Sequence, residues 1–462
     1  MGSMLQRYGV RLAVLAVVVL VLLLAAALPW KSLIEFRLKT FLEAQGLHNV
    51  ELTLSNIGVN SVSLKEIKIG NEQPLVLKDI TLNYSLMELY EGDLAELVAS
   101  GVDVNVNQED KGWTVRGLEN LQTAAPKTSP FQFPVAQDEL TVIPFDKAQL
   151  ENSSIHFAAK QWQMMLPIQV TWLKIPNPEL TGKTPGFVLK AGDIDVIVAD
   201  ATAALSLNAE EKRWNGTWNA KTVTITGVGT DVPDLSGGGK LTVQADRAQV
   251  QGQFASADRS HHFTFDYNYY PSTPEKAEVK IIDASMPWMG GTIGTQQVSL
   301  RIGERQPLNI NLKLQHVSIQ SLLQKVTGEK TTATGTISGT LPVTIEKDGS
   351  LIFHQGNLQA DEPGIITLPP DSIPGDNEQV ALVREVLKNL HYTLLSVAVN
   401  NEGDHKLSIR MTLEGKNPDV HAGRPVKINV NLTGDMLDFV QQNILFLSDP
   451  RKLLERGEYE NK

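Results

Sequence analysis

"LNINLKL", residues 308–314, alternates without a break. Leu308, Ile310, Leu312 and Leu314 fall on one side of an extended chain, and Asn309, Asn311 and Lys313 on the other. Successive side chains of a strand point to opposite faces, so this pattern describes a sheet with one apolar and one wet face. "ATGTISGTLPVTI" (333–345) repeats it, with Ile337, Leu341, Val343 and Ile345 opposed to Thr336, Ser338, Thr340, Pro342 and Thr344. The same period returns in "VSLKEIKI" (62–69), "ITLNYSL" (80–86), "VDVNVN" (102–107), "KLTVQA" (240–245), "AQVQGQF" (248–254), "FTFDYNYY" (263–270), "VSLRIG" (298–303), "LSIRMTL" (407–413) and "VKINVNL" (426–432). "KDG" (347–349), "NEGD" (401–404), "GVGTD" (227–231) and the triple glycine Gly237–Gly239 read as turns between strands, which makes the connections hairpins, not βαβ crossovers. One strand every 13 to 14 residues from Val50 onward predicts roughly 28 strands in an antiparallel sheet.

Few segments break the period. "WKSLIEFRLKTFLEAQG" places Ile34, Leu38, Phe41 and Leu42 on one helical face, with Gly46 at its end. Short helices are also expected at 317–326 and at 377–390, where Val380, Val383, Leu387 and Leu390 form a stripe. Asp435 is placed to cap "MLDFVQQNILFL", and Asp449-Pro450 opens a further turn. The Pro- and Thr-rich segment 121–140 reads as a linker. The expected organisation is therefore a tail and anchor (1–30), a first helix and β unit (31–120), the linker, a central β region (141–330) and a C-terminal β unit with terminal helices (331–462).

The anchor is the run Leu12–Leu28, which holds no polar residue. As a helix it would be roughly 26 Å long, enough to cross a bilayer core. Arg7 and Arg11 precede it and Lys31, Arg37 and Lys39 follow, so the short tail argues for a cytoplasmic N-terminus with the bulk outside. Ala25 and Ala27 form an A-x-A site, which leaves a cleaved signal peptide as the alternative.

Composition removes several function classes. The 462 residues carry a net charge of −11 and no basic stripe, which argues against nucleic acid. The absence of cysteine excludes disulfides, thiol chemistry and a lipidated N-terminal Cys. "NPELTGKT" (177–184) has Asn177 where a phosphate loop needs its first glycine, and Pro185 follows where a helix must begin, so it reads as a loop between strands. His261 and His262 are neighbours on a strand, point to opposite faces and form no shared metal site. Trp214 and Trp218, four apart on a strand, share a face as core or rim aromatics, a sugar platform being the lesser reading. No nucleophile elbow, zinc-binding helix or dinucleotide loop is present, so no catalytic residue, cofactor or metal is assigned and the chain is not read as an enzyme.

What the apolar face packs against is open at this point: stacked sandwiches would seal it, whereas one long curved sheet would leave it as the wall of a groove. The C-terminal third resembles the YdbH-like branch of the AsmA-like envelope proteins. The resemblance rests on "ATGTISGTLPVTIEKDGSLIFHQGNLQADEPGIITL" and "MTLEGKNPDVHAGRPVKINVNLTGD", where Gly335, Gly339, Pro342, Gly356, Ala360, Gly364, Gly415, Asn417, Pro418, Gly423 and Pro425 occupy the family's pattern positions. It is clear over about 285–435 and weaker over 45–106. It implies a mainly β fold: a transmembrane helix, then a long, curved, taco-like antiparallel sheet whose apolar groove conducts glycerophospholipids through the periplasm of a Gram-negative bacterium, from the inner toward the outer membrane. Val279, Ile281, Leu300, Ile302, Leu308, Ile310, Leu312, Leu314, Ile337, Leu341, Val343, Ile345, Ile409, Met411, Ile428 and Val430 would then line that groove. The partners so implied are phospholipids, the inner membrane and a small outer-membrane lipoprotein added as a strand near the C-terminus. A structural tether with a closed β core is the alternative of another class.

Overall fold

The computed structural model describes residues 30–44, 47–71, 74–85, 87, 94–109, 112–118, 132–136, 138–142, 145–159, 162–174, 177–192, 194–227, 232–273, 276–301, 306–327, 331–347, 350–369, 378–401 and 407–434. The apolar run Leu12–Leu28, most of the 121–140 linker and the C-terminal helical segments expected after Asp435 lie outside them. Among the described residues no helix is long and apolar enough to cross a membrane. The protein is mainly β with few short helices, and the described residues cluster into two units.

The first unit opens with helix α1 (Trp30–Ala44) and continues through β1 (Val50–Ile57), β2 (Ser61–Ile69), β3 (Leu75–Asn83), β4 (Leu94–Glu109), β5 (Gly112–Val115) and β6 (Phe145–Ala158). β1 to β4 form an antiparallel meander, its alternating apolar residues buried on one side as Leu54, Leu64, Ile80 and Ala99. Leu38 of α1 packs on that cluster, as its place on the predicted helical stripe requires. β6 runs parallel to β4, from Leu94 beside Phe145 to Asn107 beside Ala158. A wholly hairpin-connected sheet was the expectation from the turn residues. The long connection after β5 brings the chain back to the starting end of β4, and a parallel neighbour needs such a return.

β7 (Trp162–Leu173) is divided between the units. The second unit contains β8 (Glu179–Ala191), β9 (Ile194–Asn208), β10 (Arg213–Thr226), β11 (Leu235–Gln244), β12 (Arg247–Ser256), β13 (His262–Tyr269), β14 (Glu278–Trp288), β15 (Gly291–Arg301) and β16 (Leu308–Ser318). After these come α2 (Ile319–Thr327), β17 (Thr332–Ala333), β18 (Thr336–Ile345), β19 (Leu351–Phe353), β20 (Gly356–Ala360), β21 (Gly364–Thr367), α3 (Glu378–Leu387), β22 (Leu390–Asn401), β23 (Leu407–Lys416) and β24 (Val426–Gly434). The described strands number 24, fewer than the spacing predicted, because many run 10 to 16 residues. Each strand from β8 to β16 pairs antiparallel with the next, and the ladder continues through β18, β20, β22, β23 and β24. Within this unit the ladder begins at β8 and ends at β24, so it is an open sheet and not a barrel.

Two sequence expectations need correction. Gly237–Gly239 is no turn: it lies inside β11, opposite Phe254, Gln253 and Gly252 of β12. A Cβ at Gly237 would come 2.3 Å from the Phe254 ring, so the glycine is there to let that ring lie flat on the sheet. "NPELTGKT" likewise enters β8 and pairs with β9 from Glu179 onward, which makes it strand and not loop.

Candidate functional site: an apolar sheet face

Register fixes which residues share a face. One transverse row runs Gly182, Ala203, Trp218, Gly239, Gly252, Phe265, Ile281 and Val298, each the cross-strand partner of the next. A second runs Met286, Ile293, Leu314, Gly339, Leu358, Val397, Met411 and Val430. Together they trace one face across fourteen strands, and in the paired register that face carries no Lys, Arg, Asp, Glu or His. The charges sit on the other face, where Lys280 meets Glu278 at 3.2 Å and Lys427 meets Glu414 at 2.7 Å.

Keeping a face apolar over strands this long needs corrections of parity, and bulges supply them. Asp200, Gln297 and His316 have positive φ within strands, and the pairing shifts by one residue between Leu314 and Val317. The extra residue between Leu314 and Val317 lets the apolar set resume on its own side. At His316 the bulge is tied down: its backbone N–H donates to Ser338 Oγ at 2.9 Å, and its Nδ1 lies 3.2 Å from Asp361 Oδ2. Burial would push the Asp361 carboxyl up, but hydrogen bonds from Thr336, Ser338 and His316 outweigh it and hold the group below the usual carboxylate range.

The face has two characters. From β8 to β13 it is half-buried and aromatic in the middle. Trp218 lies 5.3 Å from Phe254, centroid to centroid, and Phe254 stacks on Phe265 at 5.8 Å with 13° between the planes. The Trp218 indole lies down over Gly252 and donates its Nε1–H to the Gln251 carbonyl at 3.1 Å. Nearby, Trp214 donates to the Pro134 carbonyl at 2.8 Å, and Phe133 donates its backbone N–H to Ala245, which binds the 132–136 segment to this end of the sheet. Trp214 and Trp218 do share a face, Trp214 as a buried residue and Trp218 as part of an aromatic floor.

From β14 to β24 the face is packed. Of the groove residues expected from the sequence, Leu308, Leu312, Leu314, Ile337, Leu341, Val343, Ile345 and Ile428 are all at most 8% exposed, in a cluster with Leu351, Phe353, Val386 and Leu387. Ile281, Leu300, Ile310, Ile409, Met411 and Val430 are partly buried against that cluster, and Val279 is half-buried. Ile302 lies outside the described residues. Sequence reasoning did not include the β8–β13 part, although glycines facing aromatics across neighbouring strands are a readable sign of flat-lying rings.

The motif residues have structural roles. Gly335 (φ +95°), Gly364 and Gly415 surround Tyr392: a Cβ at Gly335 or Gly364 would lie 2.4 or 2.5 Å from its hydroxyl, and Gly415 pairs with it across β22 and β23. That hydroxyl donates to the Thr334 carbonyl at 2.9 Å, and burial pushes its pKa up. Buried Asn417 donates to the Glu385 and Val386 carbonyls at the end of α3 and accepts the Asp419 N–H at 2.8 Å. Gly339 sits between Leu314 and Leu358, Pro342 opposes Asn311, and a Cβ at Gly356 would meet Leu341. Pro418 and Gly423 flank the short turn before β24, and Pro425 leads into that strand.

His261 and His262 have separate partners, Ser260 Oγ at 3.0 Å and Asp283 Oδ2 at 3.2 Å. Among the described residues no group of three or more His, Asp or Glu is placed to hold a metal. No curated protein matches the chain, and neither does any solved structure. The weaker resemblance over 45–106 finds no support in the family comparison, whose match is wholly C-terminal and extends the clear resemblance at both ends. Residues 261–456, which span β13 to β24 apart from His261 itself and the C-terminal residues, match the YdbH-like family, described as intermembrane phospholipid transport protein YdbH.

Proposed function

We propose that the uncharged face of the second unit carries the acyl chains of glycerophospholipids, and that the chain acts as a periplasmic bridge between inner and outer membranes. The observation that carries the reading is the absence of any charged side chain across fourteen paired strands whose opposite face is wet. The family description, intermembrane phospholipid transport, names the cargo. Two chains of about 16 carbons expose on the order of 25 kcal/mol of apolar surface at about 0.8 kcal/mol per methylene, which makes free passage through water negligible. An aliphatic and aromatic floor removes that barrier while headgroups stay in solvent, and no catalytic residue is needed. In this reading the run Leu12–Leu28 anchors the chain once in the inner membrane, with its N-terminus cytoplasmic. The outer edge of β24, paired only with β23 among the described strands, takes an added strand from a small outer-membrane lipoprotein.

The tether reading keeps one observation in its favour: Val343 and Ile345 are 1% and 0% exposed, as in a closed core. Lipid extraction from the chain purified out of its own membrane separates the two. Bound phospholipid in stoichiometric amount, lost on Phe265→Asp and kept on Asp266→Asn, is the result expected of a conduit. A lipid-free chain whose fold is intact would favour the tether.

A further inference from the structure

Eleven large apolar side chains are exposed among the described residues, and five belong to the first unit: Leu33 (50%), Phe36 (64%), Ile57 (39%), Val59 (73%) and Met87 (67%). They gather at one end of it. α1 runs opposite to β1, because Leu42 packs with Val50 and Ile69 whereas Leu38 packs with Leu54 and Ile80. Glu35 fixes that register by accepting the Leu54 N–H at 2.8 Å. The first turns of α1, with Leu33 and Phe36, therefore point toward the Gly58–Asn60 turn between β1 and β2, which is flanked by Ile57 and holds Val59. Tyr84 joins the same turn, its hydroxyl donating to the Gly58 carbonyl and its N–H to the Asn60 carbonyl, both at 3.0 Å. Met87 follows three residues later, within about 11 Å of chain.

A soluble surface disperses such side chains, and clustering at the tips of a helix and a turn marks a contact with something apolar. The sequence says what that is. The run Leu12–Leu28 ends two residues before Trp30, so the chain enters this end of the unit directly from its most apolar segment. Lys31 and Arg37 are exposed beside the cluster, as suits anionic headgroups. We propose that this end of the first unit is a bilayer-inserting tip, with Leu33, Phe36, Ile57, Val59 and Met87 seated in the interfacial layer of a phospholipid membrane. The tip rests on the anchor reading above and adds to it, since an anchor alone would leave the turn free in water.

The chain has no cysteine, so Val59→Cys, Met87→Cys and, at the far end of β2, Lys68→Cys each give one labelling site. The full chain bearing an environment-sensitive fluorophore is reconstituted into phosphatidylcholine–phosphatidylglycerol vesicles with or without spin-labelled lipid, and flotation scores membrane association. Expected are a blue shift and lipid-dependent quenching at Val59 and Met87, neither at Lys68, and loss of most quenching at Val59 on Phe36→Asp. Flotation without quenching overturns the tip and leaves the anchor standing. Failure to float overturns both. Self-quenching between labelled chains in place of lipid quenching would make the patch a contact between copies and overturn the proposal.

Discussion

Replacing Gly252 with alanine should damage the aromatic floor, and another glycine of the same transverse row supplies the control. A Cβ at Gly252 would lie 2.3 Å from Trp218 Cζ2 and 2.8 Å from the Gly238 carbonyl oxygen. Carbon atoms sit about 3.5 Å apart at closest comfortable contact, so the indole must retreat by about 1.2 Å, and the backbone oxygen has no such freedom. Moving the ring gives up its hydrogen bond to Gln251, worth about 1 kcal/mol, and strains the contact with Phe254, with overpacking costing about 1–3 kcal/mol. Alanine recovers about 0.4–1 kcal/mol by restricting the unfolded chain, leaving a net loss of about 1–4 kcal/mol. At Gly182, on the same face, an added Cβ meets nothing within 4 Å, so Gly182→Ala should be neutral or slightly stabilising. Urea unfolding followed by near-ultraviolet circular dichroism reads both. Equal stabilities for Gly252→Ala and the parent chain, or equal losses for the two variants, would refute flat packing of Trp218.

Two further outcomes follow from the geometry. Asn417→Ala removes two hydrogen bonds that tie the end of α3 to the turn after β23 and a third within that turn, and should cost about 2–4 kcal/mol, read as earlier proteolysis of the 378–434 region. In the β12–β13 turn, hydrogen bonds from Ser256 and Ser260 lower the Asp258 pKa from 3.8 to about 2. A depressed carboxylate pKa adds stability that is complete above the unfolded value and lost as pH falls through the folded one. Protection of the Ser260 and His261 amides, measured against their intrinsic exchange rates at each pH, should therefore fall between pH 4 and 2 and be unchanged from pH 5 to 7, and Asp258→Asn should abolish the acid dependence.

Period-two alternation carried most of the fold, because half-buried strands cannot hide which side is wet. "LNINLKL" and "VKINVNL" became β16 and β24 with the predicted faces, and short helical stripes became α2 and α3 to within a few residues. The bulges were not legible. His316 is a polar residue that looks like any other outer-face position, and only the register shift between Leu314 and Val317 reveals an extra residue there. The triple glycine misled because turns and flat-lying aromatics both call for a missing side chain, and the choice depends on Phe254, seventeen residues beyond Gly237. Parallel pairing of β4 with β6 depends on where a long connection returns, which no local pattern records. For the site, alternation identified the right face but not its packing. Leu312 and Val343 look equivalent to Leu241 and Val250 in sequence, yet α3 and the β19 residues share a cluster with the first pair, whereas the second pair is half-buried.

That difference selects the positions at which the central claim is tested most directly. Photo-crosslinking residues at Leu241, Val250 and Phe265, on the half-buried face, are compared with Lys240, Gln251 and Asp266, their neighbours on the wet face, in cells carrying radiolabelled phospholipid. Label captured at the first three positions and not at the second three is the result a lipid-conducting face predicts. Capture at neither set, or equally at both, by a folded and membrane-associated chain would contradict it.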